Sequence, residues 1–516
     1  MNKLISIFNN VLGPIMTGPS SSHTAACAYI GQCVNSLFGN DITKADIIFD
    51  INGSYRSTYI GQGSNYGFVG GLMGMAPDDR KLKDSLNIAK TEGREFNFMI
   101  EDLGEVHPNT AKIIVYDRSG KSEMTVLTVS TGGGMFEITN INGLDTHIKG
   151  DKDQLFIAVK SEKNIQDLES IKKLGHIEEY KQEKGILYII TLNNPVSENL
   201  INVISSEADV IFCGQVKNVF PFKGKLDKEY SFGTSTELMK YNFEKQMNLY
   251  ELALFFETGI SCLDEESGIE HLLYIVDSMK RSAVEKNNSE NFVMMKPKAL
   301  EMKRKKNLVN YIDTGILNDM VIKSISTMES SCRREVIVAA PTAGSCGVMT
   351  GVIVALLESG KYNNEDILKS LMVGGLIGAF IGNQATFGAE VAGCQAENGA
   401  ASAMAASTIA YLHGGTNSEC IAAASLALQN LLGLICDPIA GFTEVPCIHR
   451  NTVAVSNAVT SANMVLMGYD PIIPLDEVII AMLEIGHKLP RELKCTCEGG
   501  LCITPTGKKI AQNINI

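Results

Sequence analysis

The sequence predicts a multidomain chain: an α+β domain over residues 1–152, a small βαββαβ domain over 153–222 and an all-α domain over 223–516. Three observations lead there. The 516 residues are enough for roughly three domains of about 100–200 residues each. Strand-like apolar runs separated by Gly-rich turns fill the first part. From about Gly351 to Met467 the chain is instead rich in Ala, Gly, Ser and Met, as in GAASAMAAS (Gly399 to Ser407), and such small side chains let buried helices approach closely. A composition that is 45% hydrophobic and 20% charged excludes long disorder, collagen-like repeats and a coiled-coil rod.

In the first domain, IIFDI (Ile47 to Ile51), IIVY (Ile113 to Tyr116) and MTVLTVS (Met124 to Ser130) read as strands. In the second, LFIAVKS is β-prone, IQDLESIKKLG has helical spacing and ends on Gly175, and IEEYKQEKG leads into ILYIITLN. SENLINVISS then starts with an N-cap-like Ser197, and ADVIFCGQV is strand-like again. The order βαββαβ is that of a ferredoxin-like fold, the class that includes ACT regulatory modules. In the third, KGKLDKEYSFG (Lys223 to Gly233) reads as a polar linker, and charged amphipathic helices follow to about Lys306.

Charge and cysteine usage narrow the function. Lys and Arg number 45 against 58 Asp and Glu, a net charge of −13. Such a chain repels phosphate backbones and anionic lipid, so the expected partner is a small molecule, with no nucleic acid and no membrane. The most apolar stretches, Leu371 to Gly382 and Ile421 to Cys436, are shorter than the ~20 residues of a bilayer-spanning helix. An odd count of 13 cysteines, with no signal-peptide pattern, predicts a cytoplasmic chain with reduced thiols. Cys27, Cys33, Cys213 and Cys262 are scattered early, and nine cysteines follow from Cys332 onward. That asymmetry points to metal or redox chemistry in the C-terminal part.

Three groups of residues carry chemical potential. GPSSSHT (Gly18 to Thr24) gathers three hydroxyls and an imidazole ahead of a helix, where hydroxyls and free N–H groups can hold a carboxylate or phosphate. HPNT (His107 to Thr110) offers a second imidazole and the Asn109 amide beside the rigid Pro108, and STGGGM (Ser130 to Met135) permits close approach. APTAGSCG (Ala340 to Gly347), GCQAENG (Gly393 to Gly399) and CDPIAGFTEVPCIHRN (Cys436 to Asn451) place Cys394, Cys436 and Cys447 42 and 11 residues apart, each near Gly or Pro. Three such thiols suit an iron–sulfur cluster or zinc, or pack as small buried hydrophobes. No Cys-x-x-Cys supports a zinc knuckle, and Cys495 and Cys497 are too close to count as one.

These motifs together resemble the iron–sulfur-dependent L-serine dehydratases (L-serine ammonia-lyases), with the two usual parts fused. GPIMTGPSSSHT and HPNT resemble the β-part; APTAGSCG, GCQAE, CDPIAGFTEVPC and LPRELKCT (Leu489 to Thr496) resemble the α-part. The resemblance implies a 4Fe–4S cluster on Cys394, Cys436 and Cys447, one iron being left open as a Lewis acid, and no pyridoxal phosphate. It implies His23 and His107 as proton-transfer groups and Ser20, Ser21, Ser22, Thr24 and Asn109 as substrate ligands. Thr342, Gly344 and Ser345 form the opposite wall, with Cys346 as a pocket residue.

One departure stands out. Where the family reads like GKGHGTD, this chain has GQGSNYG (Gly61 to Gly67), so Ser64 occupies an imidazole position. His449 is the first candidate for a compensating base, with Tyr66 and Cys33 behind it. The resemblance therefore implies dehydration of L-serine, with two alternatives: the same chemistry releasing sulfide from L-cysteine, or a non-catalytic amino-acid or redox sensor. An ACT-like domain implies regulation by a small molecule and a homodimer. Cys495, Cys497 and Cys502 form a buried thiol-rich turn or a plug for the open iron.

Overall fold

The structure is a computed structural model describing residues 4–39, 42–104, 107–120, 123–160, 171, 173–206, 209–226, 232–306 and 308–514. Most of the expected helix at 165–175 lies outside the described residues, as do 227–231 of the expected linker.

The N-terminal sheet runs in the order Glu95–Glu101, Lys44–Asp50, Thr110–Tyr116, Glu123–Gly132, Met135–Ile141, Leu144–Ile148. Only the first pair is parallel; the rest are antiparallel. In Glu123–Gly132 buried and half-buried residues alternate, as expected when one sheet face is sealed and the other partly open. The sealed face lies under the helix Ala26–Phe38, where Ile30, Val34 and Leu37 meet Ile47, Ile113, Val126 and Ile138.

The second sheet is antiparallel, in the order Val210–Val216, Gln154–Val159, Gly185–Leu192, Gly175–Gln182. Numbered along the chain this is 4-1-3-2, the order that a βαββαβ chain produces. The Ser197 hydroxyl accepts from Leu200 N–H and caps the helix Glu198–Ser205, as its position suggested. Every residue of Gly185–Leu192 is buried. ILYIITL lacks polar alternation because the strand is covered twice: Tyr188 and Ile190 face Ile204, while Leu187 and Ile189 join the core of the first sheet.

The remainder is helical around Ala400–Leu412, which Asn364–Gln384, Asn417–Gln429, Cys447–Leu466 and Cys346–Ser359 surround. Along Asn364–Gln384, Gly375, Gly378 and Gly382 receive the N-terminal segment. A Cβ at these three positions would lie 2.4 Å from Ile7, 2.3 Å from Val11 and 2.1 Å from Ile5. The expectation of an entirely helical C-terminal region is corrected at Val336–Val338, a short strand that pairs antiparallel with Ile15–Thr17. Its alternate partner comes from the far end of the chain, which no local pattern encodes. The first and last parts of the polypeptide are thus joined by a shared core and a shared ladder. The helix Pro505–Asn513 lies against the turn Ile439–Gly441. Among the described residues no helix is long and apolar enough to cross a membrane.

Candidate active site

The GPSSSHT loop turns into a helix through one π-helical turn, Ser21–Ala25, a distortion common at functional sites. Ser20 is its cap, accepting from His23 N–H at 3.2 Å. His23 is fully buried, with Ser22 Oγ 2.9 Å from Nδ1 and Ser54 Oγ 3.4 Å from Nε2. Tyr55 meets the imidazole edge-on, at 4.9 Å between ring centroids. Burial lowers the pKa of His23 to about 3, so the ring is neutral at physiological pH. Thr24 turns its hydroxyl to the Gln62 carbonyl at 2.7 Å and thereby holds the GQGSNYG loop.

The segment 342–345 lies against this loop. Ala343 N–H donates to Ser21 Oγ at 3.3 Å across 322 residues of chain. Thr342 and Ser345 hydroxyls lie 3.1 Å apart, and the Gly344 carbonyl accepts from Asn451 at 2.7 Å. A Cβ at Gly344 would sit 2.8 Å from both carboxyl oxygens of Glu397.

His107 and Asn109 separate in role. The His107 Nδ1 accepts from Asn109 N–H at 3.2 Å and braces its own turn. Asn109 turns inward, donating from Nδ2 to Glu390, while its Oδ1 is buried without a hydrogen-bond partner among the described residues. The Gly132 backbone makes this closure possible. Its φ is +95° and a Cβ there would lie 2.6 Å from Gly388 N, so the sheet turn abuts the segment that carries Glu390.

Cys394, Cys436 and Cys447 are buried and free of disulfides. Cys394 lies one residue before a second π-helical turn, Gln395–Gly399, and Cys447 opens the helix Cys447–Leu466. The Cys436 thiol lies in one buried cluster with those of Cys394 and Cys495. Cys495 is held there by backbone pairing on both sides of Cys436: Cys436 N–H donates to Leu493 O and Cys495 N–H to Cys436 O, each at 2.9 Å. The Arg450 guanidinium lies 3.7 Å from Cys394 Sγ and 2.7 Å from Asp437. The neighbouring Cys436 thiol, with Arg450 behind it, holds the Cys394 thiol below its ordinary pKa. Cys497 and Cys502 stand apart, both on the Pro438 carbonyl, at 3.6 and 3.1 Å.

Ser54 and Glu390 lie outside every motif singled out in the sequence, and Gln62, Glu397 and Arg450 lie within such motifs without a role assigned to them there. Ser54 Oγ donates to the Cys495 carbonyl at 3.2 Å, which connects the imidazole loop to the thiols. Burial raises the pKa of both Glu390 and Glu397, the second also because Cys394 is near. Two carboxyls in the apolar run GAEVAGCQAE were the available signal, since acidic residues are rarely buried without cause.

Other candidates lie elsewhere. Ser64 is buried at the start of the helix Ser64–Leu72, beside Cys27. Tyr66 is spent on the Gly18 carbonyl at 2.6 Å, and Cys33 lies in the sheet core. His449 is exposed on its helix and its carbonyl accepts from Thr452. Cys346 points at Met328 Sδ, 3.5 Å away in an apolar cluster.

Among the described residues no three His, Cys, Asp or Glu side chains converge as ligands of one metal ion. The donor chemistry fits a polynuclear group instead: soft free thiols from separate loops, buried together, with a guanidinium to offset charge.

Fold and site together define a class of two-part protein, in which a sheet-borne hydroxyl and imidazole loop closes onto a thiol-lined helical core. The family model for the serine dehydratase alpha chain matches residues 161–502, and the chain belongs to that family. It is 34% identical over 292 residues to the probable L-serine dehydratase alpha chain of Bacillus subtilis (strain 168), covering 55% of this chain and 95% of that one. With the L-serine dehydratase alpha chain of Peptoniphilus asaccharolyticus it shares 37% over 286 residues, 54% of this chain and 97% of the other. The probable L-serine dehydratase beta chain of Bacillus subtilis (strain 168) matches at 34% over 218 residues, 40% of this chain and 96% of the relative. Relatives of both chain types are matched nearly whole, so one polypeptide carries the fused β and α parts.

Proposed function

We propose that the chain deaminates L-serine to pyruvate and ammonia by β-elimination. The observation that carries this is the junction of the imidazole loop with the thiols, made by Ser54 between His23 and the Cys495 carbonyl, in a chain whose relatives are named L-serine dehydratases. Cys394, Cys436 and Cys447 would hold a 4Fe–4S cluster. When bound, it supplies a Lewis-acid iron that makes the β-hydroxyl a better leaving group.

The chain's own residues do the rest. Ser21 and Ser22, with Thr342 and Ser345 opposite, offer hydroxyls to the substrate carboxylate. The unpartnered Asn109 Oδ1 accepts from the ammonium. Neutral His23 moves a proton at its ring nitrogens. Arg450 offsets thiolate charge next to Cys394. Burial keeps water away until the enamine leaves, to tautomerise and hydrolyse in solvent.

The stretch 153–222 is read as an ACT-like regulatory unit; its 4-1-3-2 strand order supports this. The test of the catalytic reading is pyruvate and ammonia formation from L-serine by the anaerobically reconstituted chain, with L-cysteine assayed in parallel. Pyruvate from serine supports the reading. Sulfide from cysteine alone would move the same site to a desulfidase, which Ser64 in place of an imidazole makes the specific competitor. A filled cluster with no product from either would overturn both.

A further inference from the structure

We infer that Arg334 is the entry residue of the site, a guanidinium that captures the carboxylate of an incoming amino acid in a cleft between the two parts of the chain; the identity of that amino acid rests on the dehydration reading. The cleft is lined by Pro19 and Gly61 from the first part and by Asn291, Arg334, Phe442 and Glu444 from the second. Pro19, Gly61 and Glu444 are buried, whereas Asn291, Arg334 and Phe442 are partly exposed, so the cleft runs inward from solvent. Its buried walls adjoin the site along the chain. Pro19 precedes Ser20, the cap of the His23 turn, Gly61 precedes Gln62, which donates to Cys495 Sγ, and Glu444 lies three residues before Cys447.

Of the charged groups at the cleft, the guanidinium is the uncommitted one. The Glu444 carboxylate accepts from the backbone N–H groups of Val293, Met294 and Met295 at 2.7, 3.0 and 2.8 Å. Glu335, next along the chain, pairs with Lys286 at 2.8 Å and with Arg333 at 3.3 Å. Arg334 forms no ion pair with a carboxylate among the described residues. Its guanidinium lies over the Tyr66 ring, 4.9 Å from the centroid, and the Tyr66 hydroxyl is itself fixed on the Gly18 carbonyl at 2.6 Å. A contact through the ring face uses none of the N–H donors, whose fork suits a carboxylate.

The backbone gives independent support. The helix Ile316–Cys332 ends in a Schellman turn, in which Arg334 N–H donates to Ser331 O at 2.9 Å and Glu335 N–H to Ser330 O at 3.0 Å. Arg334 takes the left-handed position of that turn, at φ +59°, where glycine is usual because a Cβ is strained there. An arginine kept at such a position marks a use for its side chain outside the turn.

The consequence is an orientation. A free amino acid near neutral pH carries one carboxylate and one ammonium, and the guanidinium attracts the first and repels the second. The substrate therefore enters carboxylate first, the direction in which the hydroxyls of Ser21 and Ser22 receive it. In a chain of net charge −13 a carboxylate otherwise approaches against repulsion, which a cation at the mouth reverses locally.

Two measurements test this. The first needs no turnover: phenylglyoxal labelling of the full chain, read at Arg334 by tandem mass spectrometry, with the buried Arg333 as internal control. Saturating L-serine is expected to suppress the label at Arg334, and L-serinamide, which lacks the carboxylate, to leave it. Equal suppression by both, or by neither, would overturn the inference. The second compares reconstituted variants at low and high salt. Arg334→Gln is expected to lower kcat/KM for L-serine at low salt by about tenfold, mainly through KM, with the difference from the parent shrinking as salt rises. Arg334→Lys, which keeps the charge, should recover most of the parent value. Arg334→Gly, which suits the turn, should show the loss of Arg334→Gln with a urea midpoint no lower than the parent's. A parental kcat/KM in Arg334→Gln, or an Arg334→Gly chain that loses stability together with activity, would reduce Arg334 to a packing group and overturn the inference. If no form deaminates serine, the dehydration reading fails, while the labelling still decides whether the cleft takes a carboxylate.

Discussion

The side-chain amide of Gln62 donates to the Cys495 thiol across 3.2 Å, joining residues 433 positions apart. Gln62 belongs to GQGSNYG, the loop in which the chain departs from its family's pattern, and the Gln62 carbonyl is in turn fixed by Thr24. The departing loop therefore contacts the thiol pocket directly and is tied to the imidazole loop by one residue.

Replacing any one of Cys394, Cys436 and Cys447 by Ser is expected to abolish retention of iron and sulfide after anaerobic reconstitution, with the far-UV spectrum unchanged. Arg450→Ala, which removes only the guanidinium beside Cys394, is expected to weaken metal retention by about 10–100-fold. Iron analysis after dialysis against a chelator measures both. Full retention in Cys447→Ser would remove that residue from the ligand set.

The glycine stripe on Asn364–Gln384 is expected to be intolerant of even one methyl. Gly378→Ala places a Cβ 2.3 Å from Val11 and should cost about 1–3 kcal/mol of stability, the usual range for overpacking. Urea unfolding monitored by circular dichroism gives the value. An unchanged midpoint would mean that the N-terminal segment is not seated there.

What the sequence disclosed and what it concealed divide by range. Ser197 was legible as a cap because capping is decided within four residues, and ILYIITL was legible as a strand, its burial on both faces becoming visible only with the second core it joins. GPSSSHT was legible as a candidate because its hydroxyls and imidazole are contiguous. Glu390, Cys495 and Ser54 reach the same place only through tertiary closure, from positions up to 441 residues apart, and no local pattern encodes that. His449 could have been read as exposed from periodicity. It follows buried Cys447 by two residues on one helix, which rotates it to the opposite side, towards solvent.

Stability should depend on pH through His23. Its folded pKa of about 3 lies below the ordinary 6.5, so between these values the unfolded chain binds a proton that the native chain does not. The contribution is therefore complete above about pH 6.5 and is lost as pH falls towards 3, at up to about 1.4 kcal/mol per pH unit. Glu390 and Glu397, shifted upward, act in the opposite direction in both parent and variant, and cancel in the comparison. The loss between about pH 6.5 and 5 is expected to be smaller in His23→Gln than in the parent by about 1–2 kcal/mol. Parallel curves would contradict a neutral buried ring.

Asn109→Ala is expected to raise KM for serine by about tenfold, the loss of one charge-assisted hydrogen bond, because Oδ1 is a buried acceptor with no hydrogen-bond partner among the described residues. Steady-state kinetics at saturating and limiting serine separate this from an effect on kcat. A lowered kcat at constant KM would reassign Asn109 to holding Glu390 alone.

The most direct measurement is anaerobic iron and sulfide analysis of the reconstituted chain, followed in the same tube by pyruvate formation from L-serine. The account predicts a filled cluster and pyruvate, lost on exposure to air and restored by iron. Pyruvate formed equally well by metal-free protein, or none from a fully loaded chain, would contradict it.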